Sequence, residues 1–204
     1  MRSAFFAVAT FALGALATPT LVKKDCNDTC MTYDQATVVA NNFKSLIAAY
    51  SDADAIEFLT PDFTDYSDSV STLINSGCAG PQPLGAATFT DRPSFMKGQG
   101  SQPAIPFEIQ HLWYACTGPV VIRWATNFGA EPITGNIIME ATRGSGSQPW
   151  LISNVLSEFN SGAWLVNLDV FKPSCYANGS STIGPVGKRD VTAQQMKKLP
   201  YRIM

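Results

Sequence analysis

The first clear pattern in the chain is a stripe of apolar residues that recurs every three or four positions. It runs through "MTYDQATVVANNFKSLIAAY", where Val39, Phe43 and Leu46 fall on one side of a helix. Thr32 and Gln35 precede the stripe with the spacing of a capping box. The pattern therefore predicts a long amphipathic helix.

Three shorter helices are predicted further along the chain. The first covers "ADAIEFL", begins at Ser51 or Asp52, and ends before Pro61, because the residue preceding a proline is disfavoured in a helix. The second lies near residues 70–74. The third covers "RPSFMKG", with Asp91 as its N-cap and a proline inside its first turn.

After residue 104 the pattern changes to the alternation typical of β-strands. The strands are predicted at residues 105–115, 119–128, 133–142 and 150–159, with a fifth at 163–171. In the first of them, alternation places Phe107, Ile109, His111 and Trp113 on one face. Glycine-rich turns separate the strands, and connections that short join antiparallel neighbours.

Helices followed by antiparallel strands indicate an α+β domain. We expect a cone-shaped, curved antiparallel sheet packed against the N-terminal helices, with a cavity between the two layers. The composition agrees with a globular domain, since 46% of the 204 residues are hydrophobic and 15% are charged.

The N-terminus carries a predicted secretion signal. Arg2 is followed by an apolar run that ends in "LGALA", and Ala15 and Ala17 fit the small-residue rule for signal-peptide cleavage. We therefore predict a signal peptide at residues 1–17 and a secreted, extracellular protein. N-terminal sequencing of the exported chain should then begin at Thr18, and an intact N-terminus would contradict the prediction.

The rest of the chain divides into three predicted parts. A linker with Cys26 and Cys30 covers residues 18–33, the domain covers residues 34–175, and a flexible basic tail covers residues 176–204. No segment after the signal reaches the length of a membrane span.

The cysteines and sequons agree with an extracellular compartment. Five cysteines accompany a single histidine, so disulfides are favoured over a metal site. The disulfide candidates are Cys26, Cys30, Cys78, Cys116 and Cys175. Their connectivity stays open, and the odd number leaves one thiol over. Asn27 and Asn178 begin glycosylation sequons.

Charge is distributed unevenly along the chain. Residues 18–187 hold eight basic and fifteen acidic side chains, whereas residues 188–204 hold five basic and one acidic. An acidic body argues against nucleic acid as a partner. The tail is either a contact arm or a disordered end, and its Lys188-Arg189 pair is a candidate cleavage site.

Several motifs resemble a known family. In order, "DFTDYSDSV", "GQGSQPAIPFE", "HLWYAC", "VIRW" and "WLISNVLSEFNSGAW" are similar to small secreted fungal proteins of the nuclear transport factor 2-like superfamily. That superfamily includes ketosteroid isomerases, scytalone dehydratase and polyketide-cyclase-like proteins. The resemblance implies the fold and secretion, without an established activity, and is compatible with a dimer.

The catalytic sets of those enzymes are not intact in this chain. Ser67 occupies the position at which the isomerase pattern has its carboxylate base, and the one histidine cannot supply the two of scytalone dehydratase. Arg123 lies between Ile122 and Trp124 rather than in the Asp-Arg-Asp arrangement of limonene epoxide hydrolase. No cofactor motif is present, so we favour a binding protein over an enzyme.

Three residues are nevertheless candidates for acid–base chemistry. They are His111, Asp65 and Asp68, because an imidazole and paired carboxylates can exchange protons when burial shifts their pKa values. Each also has an ordinary structural interpretation, His111 as a core residue and Asp68 as a helix cap. Arg123 is expected to pair with Asp65, Asp68 or Glu158, or to clamp a ligand.

The sequence thus predicts an apolar pocket that binds a small hydrophobic molecule. The predicted pocket residues are Tyr50, Tyr66, Trp113, Arg123, Asn154, Glu158 and Trp164. One alternative is a cofactor-free isomerase, dehydratase or cyclase that uses a His–Asp pair. Another is an extracellular, host-directed interaction protein.

Overall fold

The computed structural model describes residues 30–173, which form five helices and five strands. The helices are α1 Tyr33–Ala48, α2 Asp52–Phe58, α3 Asp68–Ile74, α4 Arg92–Gln99 and α5 Ser161–Asn167. The strands are β1 Leu59–Tyr66, β2 Glu108–Tyr114, β3 Val120–Thr126, β4 Ile133–Arg143 and β5 Trp150–Phe159. The signal peptide, the basic tail, Cys26, Asn27, Cys175 and Asn178 lie outside these residues.

The N-terminal helices begin where side chains can cap them. Thr32 and Gln35 form the predicted capping box of α1, and Asp91 caps α4 by accepting from the backbone N–H of Ser94. Ser67 caps α3 by accepting from the backbone N–H of Val70, whereas the sequence analysis gave this role to the next residue, Asp68. The predicted helices are therefore confirmed, with small differences in their ends.

The α+β architecture is confirmed, but the sheet is mixed rather than antiparallel. Its strand order is β1-β5-β4-β3-β2, and β1 runs parallel to β5 while every other pair is antiparallel. The sheet does not close, since β1 and β2 are its two edge strands. No strand was predicted between residues 59 and 66, so the prediction missed the one parallel strand.

The predicted strand at residues 163–171 is wrong. Residues Ser161–Asn167 form α5, which Asn160 caps by accepting from the N–H of Ala163. A short apolar run such as "AWLV" fits either a strand or a helix by periodicity alone. The N-cap decides in favour of the helix, and α5 then packs beside α3 and β4.

A bulge in β2 contradicts the predicted face of that strand. The register shifts between Ile109 and His111, so the side chains after the bulge exchange faces. Leu112 then packs against the core, whereas His111 and Trp113 point away from it and are exposed. The prediction that His111 and Trp113 share a face with Phe107 is therefore wrong.

The hydrophobic core lies between one face of the sheet and the helices. Val39, Phe43 and Leu46 of α1 share one buried cluster with Ile122 and Met139 of the central strands. We call this face of the sheet the inner face and the opposite one the outer face. Within residues 30–173, no helix is long and apolar enough to cross a membrane.

Candidate functional site

A cavity of about 450 Å³ opens between the helices and the inner face of the sheet. Its size falls within the range that small-molecule sites usually occupy. Aromatic side chains make up much of its wall, namely Phe43, Phe89, Phe95, Phe107, Trp124, Phe128, Phe159 and Trp164. The cavity is therefore suited to an apolar molecule.

Contacts between neighbouring aromatic rings build one side of this wall. Trp124 stacks on Phe107 with ring centroids 4.7 Å apart, and Phe159 meets Trp124 edge-on at 5.6 Å. Phe159 also packs against Trp164 of α5 at 5.2 Å. Four rings, from Phe107 just before β2 and from strands β3 and β5 and helix α5, thus form a continuous surface.

A glycine in β4 lets these rings approach the strand. A β-carbon at Gly135 would lie 2.5 Å from Cβ of Phe159 and 2.8 Å from Nε1 of Trp124. Contacts that short would force the rings to move, because core packing leaves no spare space. The wall therefore depends on a residue without a side chain at position 135.

Of the residues that the structure describes, Asp65 alone brings a charged side chain into the lining. It lies on β1 and is only 4% exposed, and its Oδ1 accepts no hydrogen bond within the described part of the chain. Burial, and to a smaller extent the negative charge of Glu158, raises the pKa of the carboxyl from about 3.8 to about 7. Asp65 therefore changes protonation state near neutral pH.

The remaining polar lining groups are uncharged. They come from Gln99 at the end of α4, Gln102 after it, Ser157 on β5 and the indole N–H of Trp124, and neither Lys, Arg nor His of residues 30–173 contributes to the lining. Such a site can offer hydrogen bonds to a ligand. It holds no cation that would balance a negative charge.

The three predicted catalytic residues do not meet. Asp65 lies in the cavity, whereas His111 lies exposed on the outer face of the sheet. Asp68 is also exposed, and its Oδ1 accepts a hydrogen bond of 2.7 Å from the N–H of Gly85. A His111–Asp65 pair would have to act through the sheet, so the geometry does not support it.

Of the predicted pocket residues, Trp164 lines the cavity, but Tyr66, Trp113, Arg123 and Glu158 do not. Trp113 and Arg123 share the outer face with His111. Tyr66 and Glu158 line a separate groove of about 330 Å³ on the outer face.

The predicted ion pair of Arg123 is also absent from the part of the chain that the structure describes. Glu158 instead accepts from the backbone N–H groups of Asp68 and Ser69 and from the Ser69 hydroxyl. It therefore holds the first turn of α3 against β5, which is a structural task.

Two further predicted pocket residues are held by local contacts. The hydroxyl of Tyr50 donates to Asp52 at 2.6 Å, and burial, followed by the hydrogen bond and the charge of Asp52, raises the pKa of Tyr50. The side-chain oxygen of Asn154 accepts from the hydroxyl of Thr64 at 2.9 Å. Both residues lie outside the cavity lining.

Cys30 and Cys116 form a disulfide, which ties the start of α1 to the turn between β2 and β3. Cys78 is exposed and forms no bridge with another cysteine of residues 30–173. Over the same residues, no cluster of three or more histidine, cysteine, aspartate or glutamate side chains could hold a metal ion.

Sequence reasoning missed Gln99 and Ser157 as site residues. Ser157 alternates with Val155 and Phe159 along β5, so strand periodicity alone could have placed it on the inner face. Gln99 follows Phe95 by one helical turn and faces the same way. No local signal marks Gln99 as buried.

The model of a family described as the NTF2-like domain matches residues 29–171 of this chain. No curated protein matches the chain.

Solved structures give distant similarities. Wild-type IdmH of Streptomyces antibioticus, proposed to be a polyketide cyclase, is 14% identical with a TM-score of 0.46, over 66% of this chain and 99% of its own. A proposed ketosteroid isomerase from Kribbella flavida is 14% identical with a TM-score of 0.46, over 62% of this chain and 78% of its own. A de novo designed protein with a curved β-sheet is 10% identical with a TM-score of 0.46, over 69% of this chain and 97% of its own.

Proposed function

The chain belongs to the NTF2-like domain family, and on that premise we propose that its cavity binds a small, largely apolar molecule. The observation that carries the proposal is the aromatic wall around a cavity of about 450 Å³. Burial of apolar surface in such a site is favourable in proportion to the area removed from water. The few polar groups in the lining would orient the ligand.

The expected affinity is modest. A ligand of about 15 non-hydrogen atoms that gains roughly 0.3–0.5 kcal/mol per atom binds with a dissociation constant on the order of 1–500 μM. An uncharged fluorescent probe of similar size, N-phenyl-1-naphthylamine, is therefore a suitable reporter for the free cavity.

Blocking the cavity mouth should abolish binding of this probe. Ile74 lines the cavity and is 41% exposed, so Ile74→Trp places an indole at the opening. Ile56 is 55% exposed on α2 and does not line the cavity, which makes Ile56→Trp the matched control. We expect at least a tenfold weaker affinity for Ile74→Trp alone in a fluorescence titration. Equal affinities in both variants would contradict binding in the cavity.

A second candidate function is general acid–base catalysis by Asp65 in a cofactor-free isomerase, dehydratase or cyclase. The observation that favours it is a buried carboxyl whose pKa, at about 7, suits proton transfer at neutral pH. His111 has no part in this version. Asp65→Asn should then abolish turnover of a ligand while the uncharged probe still binds in the cavity, and retained turnover would exclude the mechanism.

Secretion remains part of the proposal. The Cys30–Cys116 bridge supports it, because stable disulfides form mainly in oxidising compartments. Recovery of the chain from the culture medium, with its N-terminus at Thr18, is the test.

We also propose that two copies associate through the outer face of the sheet. An apolar row crosses all five strands in register, formed by Trp113, Val121, Ile138, Leu156 and Tyr66. Trp113 is 53% exposed, and exposed apolar patches of this extent usually mark an interaction surface.

The charges beside this row favour a second copy as the partner. The neighbouring row runs from His111 and Arg123 through Asn136 to Glu158. With β4 in the centre, a two-fold axis along that strand brings Arg123 of one copy opposite Glu158 of the other. The same axis brings Trp113 of one copy opposite Tyr66 of the other, and opposite the groove that Tyr66 lines.

Trp113→Glu should therefore convert a dimer into a monomer, since it buries a charge in the apolar row. Ile56→Glu introduces the same charge at an exposed apolar residue of α2 and should leave the dimer intact. Sedimentation velocity of the three proteins measures the outcome. A wild-type chain that sediments as a monomer at 100 μM would refute the interface.

A further inference from the structure

The polarity of the cavity restricts which apolar molecules can bind, and this inference rests on the proposed function. The lining supplied by α1, α3, α4 and α5 carries no charged side chain. Among residues 30–173, Asp65 on β1 is the only ionisable group in the lining. A ligand therefore meets one acid, several aromatic rings and no base.

The carboxylate of Asp65 lacks a hydrogen-bond donor, and a ligand could supply one. An ionised carboxylate can only accept hydrogen bonds, and buried acceptors are normally paired with donors. Oδ1 of Asp65 has no such donor within residues 30–173, and no basic side chain lines the cavity beside it. A hydroxyl or ammonium group on the ligand would provide the missing donor.

The aromatic rings add a preference for positive over negative charge. The face of an aromatic ring carries negative potential and attracts cations. An anionic ligand would meet these faces and Asp65 together, and the lining formed by the described part of the chain offers no cation to balance it. Glu158 on the neighbouring strand adds a second negative charge that acts on the same region.

We propose that the cavity selects an apolar molecule that donates a hydrogen bond to Asp65 from an amine or hydroxyl group, and that it rejects the corresponding carboxylate. The amine is favoured over the hydroxyl when Asp65 is ionised, because the pair then forms a charge-assisted hydrogen bond. The hydroxyl compound can bind in either protonation state of Asp65, since a neutral carboxyl both donates and accepts.

Three ligands with one ring system test this selectivity. They are 2-naphthylmethylamine, 2-naphthalenemethanol and 2-naphthoate, titrated into the full chain at pH 8.5 with calorimetric detection. We expect the amine to bind at least tenfold more tightly than naphthoate, with the alcohol in between. Between pH 8.5 and pH 5.5, the amine should lose about tenfold in affinity as Asp65 becomes protonated, whereas the alcohol should change less than threefold.

Two variants assign the selectivity to one carboxyl. Asp65→Asn should bring the affinities of the amine and the naphthoate to within about threefold of each other. Asp62→Asn removes an exposed carboxyl from the same strand and should leave the order unchanged. Circular dichroism of both variants checks that they are folded.

The outcomes separate this inference from the proposed function. If the uncharged probe binds but naphthoate binds as tightly as the amine, only the selectivity is wrong. The same conclusion follows if Asp65→Asn leaves the order unchanged. If neither the probe nor any of the three ligands binds to the folded chain, both the proposed function and this inference are wrong.

Discussion

Asp65→Asn should stabilise the protein at pH 9 and remove much of the dependence of its stability on pH. The carboxyl is ionised at that pH in the wild type, and an ionised group that is buried without a partner is costly. Asparagine keeps the shape of the side chain without its charge. The expected gain at pH 9 is roughly 1–3 kcal/mol, because the buried amide must also find hydrogen-bond partners.

The direction in which the stability changes with pH follows from the raised pKa of Asp65. The pKa of Asp65 rises from about 3.8 in the unfolded chain to about 7 in the folded protein, so the folded state binds the proton more tightly. Stabilisation from protonation is complete below pH 4 and is lost as the pH rises through 7. A shift of this size corresponds to roughly 4 kcal/mol, of which roughly 3 kcal/mol is lost between pH 5 and pH 9.

Urea unfolding of wild type, Asp65→Asn and Asp62→Asn at pH 5, 7 and 9 measures this contribution. The difference between wild type and Asp65→Asn should change by roughly 3 kcal/mol across the series. Asp62 is exposed on the same strand, so its variant should follow the wild type. Parallel pH profiles for wild type and Asp65→Asn would show that Asp65 is hydrated in the folded protein.

Loss of the Cys30–Cys116 bridge is the second large effect that we expect. The two cysteines are 86 residues apart in sequence, and cross-linking a loop of that length restricts the unfolded chain strongly. In the chain-entropy treatment, a loop of this size contributes roughly 4–5 kcal/mol of stability. Met31 N–H also donates to the carbonyl of Cys116, so the bridge and this hydrogen bond hold the residues before α1 at the same turn.

Cys116→Ser isolates this contribution when it is compared with Ala115→Ser, an exposed change in the same turn. Chemical denaturation without reductant should show a loss of several kcal/mol for Cys116→Ser. It should show a change within about 0.5 kcal/mol for Ala115→Ser. With reductant present, wild type and Cys116→Ser should unfold at the same urea concentration. Equal midpoints without reductant would mean that the bridge does not form.

Local signals in the sequence are sufficient for α1 and for the four antiparallel strands. The capping box at Thr32 and the apolar stripe through Phe43 predict the same helix, so two separate signals specify α1. Strands β2 to β5 each alternate and are separated by glycine-rich turns, and both properties can be read within a short window. These elements define the fold class.

The missed strand β1 depends on distant residues. It pairs with β5, so Thr64 meets Asn154 some 90 positions later in the chain. Its segment contains Pro61 and several polar residues, which are typical of turns. Such a strand forms because of its tertiary partner, and local propensity gives no sign of it.

The dependence of β1 on a distant partner strand also determines which features of the site could be predicted. Asp65 was a candidate from its residue type, but its burial follows from β1 and could not be read from a segment that resembles a turn. His111 appeared to face the core because alternation was extended through the bulge at Gln110. A bulge adds one residue and reverses the faces, and nothing in "FEIQHLW" marks it.

Carbon-13 detection of the Asp65 carboxyl through a pH titration tests the central claim most directly, since it reports the environment of the one acid in the cavity. We predict a midpoint near 7 for this carboxyl in the folded protein, with Asp65→Asn identifying its signal by the loss of that signal. Addition of 2-naphthylmethylamine should move the Asp65 midpoint to lower pH. A midpoint near 4 that the amine leaves unchanged would contradict a dry, ligand-binding cavity around Asp65.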